Sequence, residues 1–218
     1  MNILSLYGYQ FFIGTVITLS SWLIAGIASL VTGLLLGIIG SKHFSYCITY
    51  KFVKLYTFIA KGIPAYVQIL IAYFVLPSVL GINLSAFFAA SLALAFCSSG
   101  YVTEIIRAGI NTVHIGQWEA CLVLGYSFSA SLRRIILPQA MKNILPALIG
   151  EFEQLLKSTS LLATIGVTEL TRTGINVISR ELDPLPVYFF IACVYLCLSG
   201  LLQIIMLISQ RYQVYDKS

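Results

Sequence analysis

Charge is what this sequence has least of. Only 10% of its 218 residues are Asp, Glu, Lys or Arg, against roughly 25% in ordinary soluble domains. None of these residues, nor any His, occurs between Met1 and Ser41 or between Gly62 and Val102. Uncharged apolar stretches longer than about 18 residues are candidates to cross a bilayer, so a water-soluble globule is excluded. A nucleotide-binding G-x-x-x-x-G-K-[ST] loop is also missing. The nearest run, Gly37 to Lys42, has the wrong spacing, and ATP hydrolysis is not expected of this chain. No nucleophile–base set stands out. The five cysteines fall mostly in apolar segments, and Cys193 and Cys197 share a helix face with no His or carboxylate beside them. They read as small hydrophobes, with no metal site. His43 and His114 lie far apart and carry no assigned role. The net charge of +5 comes from basic residues scattered through loops, without the stripe a nucleic-acid partner requires. Repeats, low-complexity tracts and linkers are lacking too, so residues 1–218 read as one domain. The N-terminal apolar run has no basic leader and is too long for a signal h-region, which makes it a retained first span.

What is present is a series of apolar segments. Five candidate spans lie at about Phe12–Ile39, Ala65–Leu80, Leu84–Thr103, Asn143–Ile165 and Val187–Ser209, giving an all-α, polytopic membrane fold. Tyr7, Tyr9, Phe11 and Phe12 form an aromatic belt at the first. Lys42, Lys51, Lys54 and Lys61 fall in loop one, Arg107, Arg133, Arg134 and Lys142 in loop three, and Arg211 and Lys217 in the tail. Those regions share one side and hold ten of the 13 Lys and Arg residues; the other side holds Arg172 and Arg180. The positive-inside rule then places the N-terminus outside and the C-terminus in the cytoplasm. The longest candidate soluble segment is 166–186.

Between the third and fourth spans stands Glu119-Ala120-Cys121, then Gly125, Ile135, Leu137 and Pro138. A short helix can run from Glu119 to Leu124, Gly125 permits the turn at its end, and Pro138 blocks simple continuation. This spacing resembles the EAA loop of permease subunits of bacterial ABC importers, with Cys121 where a second Ala is usual. The resemblance covers about Gly14 to the C-terminus and is strongest from Lys61 to Leu170. KGIPAYVQILIAYFVLP at Lys61–Pro77, YVTEIIRAG at Tyr101–Gly109 and EFEQLLKSTSLLATIGVTEL at Glu151–Leu170 resemble segments of the polar amino-acid (histidine/glutamine/arginine) importer permeases. Lys61 replaces an Arg of that pattern, Ile63 a Thr, Gly150 an Asn and Ser158 an Asp.

The resemblance implies five spans plus a cytoplasmic coupling loop at about 112–140, where Glu119, Ala120, Cys121, Gly125, Ile135, Leu137 and Pro138 meet an ATPase. It implies a second permease chain, identical or related, two cytoplasmic ATP-binding subunits and an external solute-binding protein. No cofactor is bound by this chain; ATP is used by the partner. The setting is the bacterial inner membrane, with polar amino acids as substrate.

Ionisable groups at membrane depth usually face a cavity, another charge or a neighbouring subunit. Glu153 and Lys157 have the i,i+4 spacing of a helical ion pair, and Glu104 and Arg107 the i,i+3 spacing. Glu151 has Leu155 at i+4, so it either faces a polar pathway or hydrogen-bonds another helix. Gln68, Ser158, Thr159 and Ser160 are further pathway candidates, each with a helix-packing or helix-capping alternative. Rival functions are a permease for another small solute, a passive channel, and a membrane-embedded enzyme using Glu151 or Glu153. The enzyme leaves the EAA spacing unexplained, and the channel predicts flux without ATP.

Overall fold

The computed structural model describes residues 3–42 and 47–215, and among them the chain is built from helices. His43 and Lys217 lie outside the described residues. In chain order the elements are α1 (Ile3–Ile39), α2 (Cys47–Gly62), α3 (Ala65–Leu80), α4 (Ala86–Asn111) and the short α5 (Ile115–Val123). After these come α6 (Leu137–Ser158), a 3-10 segment (Thr159–Ile165), α7 (Leu170–Glu181) and α8 (Pro184–Tyr215). Among the described residues, three stretches are long and apolar enough to cross a membrane alone: Leu6–Ile39, Ala86–Asn111 and Pro184–Ile208. Helices α2 and α3 qualify as a pair, bent by 95° at the break between them. The fourth expected span is helical, but Lys142, Glu151, Glu153 and Lys157 make α6 too polar to cross on composition alone.

Small residues set the central packing. Ser21, Ala25, Ser29, Gly33 and Gly37 recur every fourth position along α1, and all are buried. This is the small-xxx-small pattern that lets helix backbones approach closely. Here they approach closely enough to make glycine obligatory. A Cβ on Gly33 would lie 2.5 Å from Val102 Cγ1, and one on Gly37 2.6 Å from Ile106 Cβ. Higher up, Ser21 and Ser91 share a 2.9 Å hydrogen bond. The pairings advance together, so α1 and α4 run parallel. Helix α6 runs antiparallel to α4: Gly109 meets Ile144 near one end, and Ser98 meets Glu151 further in.

Segment 166–186 is no free loop. Glu169, fully buried, caps α7 by accepting hydrogen bonds from the backbone N–H groups of Thr171 and Arg172, both at 2.8 Å. The Tyr195 hydroxyl of α8 also reaches it, at 3.3 Å. Thr18 accepts from the Leu170 N–H at 3.2 Å, and Tyr7 donates to Glu181 at 2.6 Å. Helix α7 is therefore fastened to the start of α1, at the end of the bundle opposite Gly40 and Arg107.

Pro77 and Pro138 sit inside helices instead of ending them, as does Pro146 within α6. Contrary to the expectation for Pro138, the chain stays helical from Phe128 to Ser158. A widened π-helical turn over Leu132–Ile136 precedes it, with Leu137 N–H bonded to the Leu132 carbonyl. Pro77 follows a matching turn over Ile71–Val75, in which Leu76 bonds to Ile71. A proline ring clashes with the carbonyl four residues back, and the extra residue in a π turn relieves that clash.

Candidate functional site

The segment expected to be a coupling loop is a short helix closed by glycine. His114 caps α5 through Nδ1, accepting the Gly116 N–H at 3.1 Å. At the other end Gly125 adopts φ 74°. Its N–H bonds to the Leu122 carbonyl, and the Tyr126 N–H to that of Cys121, both at 3.0 Å. That pair of bonds is the Schellman closure, which needs a left-handed residue at the position Gly125 occupies. Ser127 then caps the helix that runs on into α6. Trp118 stacks on Phe128 with ring centroids 5.6 Å apart, and Gln139 donates to Gln117 at 3.2 Å. These contacts fold α5 back along the start of α6.

Within the loop, Cys121 is buried while Glu119 and Ala120 are exposed. Ile135 and Leu137 are half-buried, and Pro138 is exposed. Sequence reasoning missed Leu122, Val123 and Leu124, which are 74%, 88% and 71% exposed. The signal was present: three apolar residues directly before a turn glycine, in a segment too short to span.

The second site is a polar cavity at the break in the α2–α3 pair. Ile63 is followed by Pro64, whose ring biases its predecessor out of the α conformation. Gln68 supports the break from within, donating through Nε2 to the carbonyls of Ala60 and Ile63, both at 2.8 Å. This treats two of the carbonyls freed where the helix stops. Gln68 is buried there and does not line the cavity, which encloses about 380 Å³ and is bordered by Lys61, Ser98, Tyr101, Glu151, Gln154 and Ser158. The Ser98 hydroxyl donates to Glu151 Oε1 at 2.8 Å, and Lys61 Nζ lies 5.5 Å from the centre of the Tyr101 ring. Lys61 is thus no loop residue, as its charge had suggested. It stands in the last turn of α2, opposite the middle of α4, where Gly100 packs against Ala60.

The other pathway candidates are dispersed. Thr159 is buried, with its hydroxyl on the Leu156 carbonyl, and Ser160 bonds to the Lys157 carbonyl. Glu153 takes Lys157 at 2.6 Å and Gln203 of α8 at 3.4 Å. Arg107 and Glu104 are 2.5 Å apart and border a second cavity of about 280 Å³ with Tyr50, Lys54, Thr57 and Lys61. Among the described residues, no group of His, Cys, Asp and Glu could hold a metal ion.

A broken, helical membrane bundle with a projecting helix–turn unit is the architecture of a transporter's membrane subunit. Residues 29–213 match the family described as the binding-protein-dependent transport system inner membrane component, and the chain belongs to that family. It is 37% identical over 204 residues to a Rickettsia typhi protein provisionally named the glutamine transport system permease protein GlnP, covering 94% of this chain and 90% of that one. It is also 37% identical over 159 residues to the arginine transport system permease protein ArtQ of Bacillus subtilis, with 73% and 72% covered. The structure superposes on a chain of an amino acid ABC transporter crystallised with histidines, with TM-score 0.84 and 34% identity over 97% of this chain and 99% of that one. The inward-facing MetNI methionine ABC transporter shares the fold, with TM-score 0.80 at 17% identity over 94% and 96%.

Proposed function

We propose that this chain is the permease subunit of an ATP-driven importer for polar amino acids. The observation that carries this reading is the coupling loop. Leu122, Val123 and Leu124 are held out from the bundle by a closed Schellman turn at the end where Lys42, Lys54, Arg107, Arg133 and Arg134 gather. An apolar knob on a rigid helix, presented beside basic residues, suits insertion into a groove on a cytoplasmic ATPase. Relatives named for glutamine and arginine transport support the substrate class.

On this reading α1, the α2–α3 pair, α4, α6 and α8 are five spans, with the N-terminus outside and the C-terminus cytoplasmic. Helix α6 reaches the bilayer core because its charges face the cavity, a paired partner and a second permease chain rather than lipid. ATP binding closes two ATPase subunits, the coupling helices move with them, and the glycine-packed helices transmit the shift as rigid bodies. An external binding protein delivers the substrate.

Two measurements test this. The tagged chain, purified from its native membrane, should carry an ATP-hydrolysing subunit whose activity rises with amino acid and binding protein. Single cysteines at Lys42 and Ser129 should label with an impermeant thiol reagent only after the membrane is opened, and those at Asn83 and Ser179 in intact cells. Labelling of Ser129 from outside overturns both the orientation and the docking site.

A further inference from the structure

Lys61 belongs to the walls of both cavities: the one at the helix break, with Glu151, and the one nearer the end of α4, with Lys54, Glu104 and Arg107. In the first cavity a cation and an anion face the same space without pairing. The ion pairs among the described residues are Arg107–Glu104 and Lys157–Glu153. Lys61 leans on the Tyr101 ring, and Glu151 is held by Ser98. Separated opposite charges at membrane depth are costly. A ligand carrying both a carboxylate and an ammonium compensates both at once. The volume of about 380 Å³ is within the range of small-molecule sites. In the second cavity three cations face Glu104, which Arg107 already occupies, so it too attracts a carboxylate. A lysine has three donors on a flexible stem and can face either space.

We propose that Lys61 is the carboxylate anchor for a zwitterionic amino acid, and that it hands the carboxylate from the cavity at the helix break to Arg107 and Lys54 in the second. This rests on the permease reading and adds a second station on the pathway, with a residue common to both. The order follows from position, since the second cavity lies toward the end of the bundle that carries the coupling loop.

The experiment uses the permease–ATPase complex in nanodiscs, with radiolabelled L-glutamine and L-arginine and their α-carboxamides as probes. Lys61→Met should weaken binding of the amino acids about tenfold, the loss of one charge-assisted contact, while Lys61→Arg largely restores it. The carboxamides should bind wild type and Lys61→Met alike, because they lack the group that Lys61 holds. Lys54→Met, which touches only the second cavity, should weaken binding less than Lys61→Met does and slow uptake into proteoliposomes several-fold. Equal weakening for acid and amide makes Lys61 a packing residue and overturns the anchor, as does unchanged binding. Unchanged uptake in Lys54→Met overturns the hand-over. A wild-type complex that binds neither amino acid overturns the substrate reading itself, and that result is visible before any variant is made.

Discussion

Ser98 and Glu151, on neighbouring antiparallel helices, are joined by a 2.8 Å hydrogen bond from the serine hydroxyl to the carboxylate. The bond fixes the depth of α6 against α4 and holds the acid at the cavity wall. Glu151 has no basic partner among the described residues, unlike Glu153 two positions on. That difference, invisible in a hydropathy profile, separates an acid held by a lysine from one held by a hydroxyl.

Glu151→Gln keeps the size of the side chain and can still bond Ser98, but it removes the charge. Uptake should fall or shift from cationic toward neutral amino acids, with assembly and basal ATP hydrolysis retained. Radiolabelled uptake against an amino-acid panel, beside size-exclusion analysis of the complex, checks this. Loss of assembly would make the residue a helix-packing partner; unchanged uptake and selectivity would remove it from the pathway.

Gly125→Val should damage coupling without damaging the bundle. Gly125 has φ 74° and nothing within 4 Å of a would-be Cβ, so the penalty is backbone strain alone. For a β-branched residue in the left-handed region this amounts to about 1–2 kcal/mol or more. The Schellman turn opens and the Leu122–Leu124 knob shifts. Substrate-stimulated ATP hydrolysis should drop while the permease still reaches the membrane at normal levels; full coupled uptake by this variant counts against the docking role.

Gly37→Ile should act in the opposite way, on the bundle first. Its side chain would collide with Ile106 and with the Thr103 carbonyl, and overpacking of this kind costs about 1–3 kcal/mol. The purified protein should melt several degrees lower, and yield should fall before any specific change in selectivity. Gly8, whose Cβ would meet nothing within 4 Å, should accept Ala with no loss in melting temperature and serves as the control.

Much of this was legible in the sequence where a residue type has one physical use. Gly125 marked a turn because glycine enters the left-handed region freely, and the i,i+3 and i,i+4 charge pairs lie where helical spacing puts them. The break before α3 was less legible. Lys51, Lys54 and Lys61 made α2 resemble a loop, and only Ile63-Pro64 hinted that a span was bent there. The stripe Ser21-Ala25-Ser29-Gly33-Gly37 was in plain view, but hydropathy averages over it. Its period of four is a packing signal, not a polarity signal. Pro138 was misjudged because sequence shows the missing donor and not the π turn that accommodates it.

The break at Gly62 to Pro64 also bears on how the chain enters the membrane. With three lysines in its 16 residues, α2 is a poor substrate for insertion alone. The groups that steady it come later in synthesis: Ser99 bonds Tyr56, Phe96 lies edge-on to the same ring, and Gly100 accommodates Ala60. All three belong to α4. A nascent chain released before Ala86 would leave this segment without these supports.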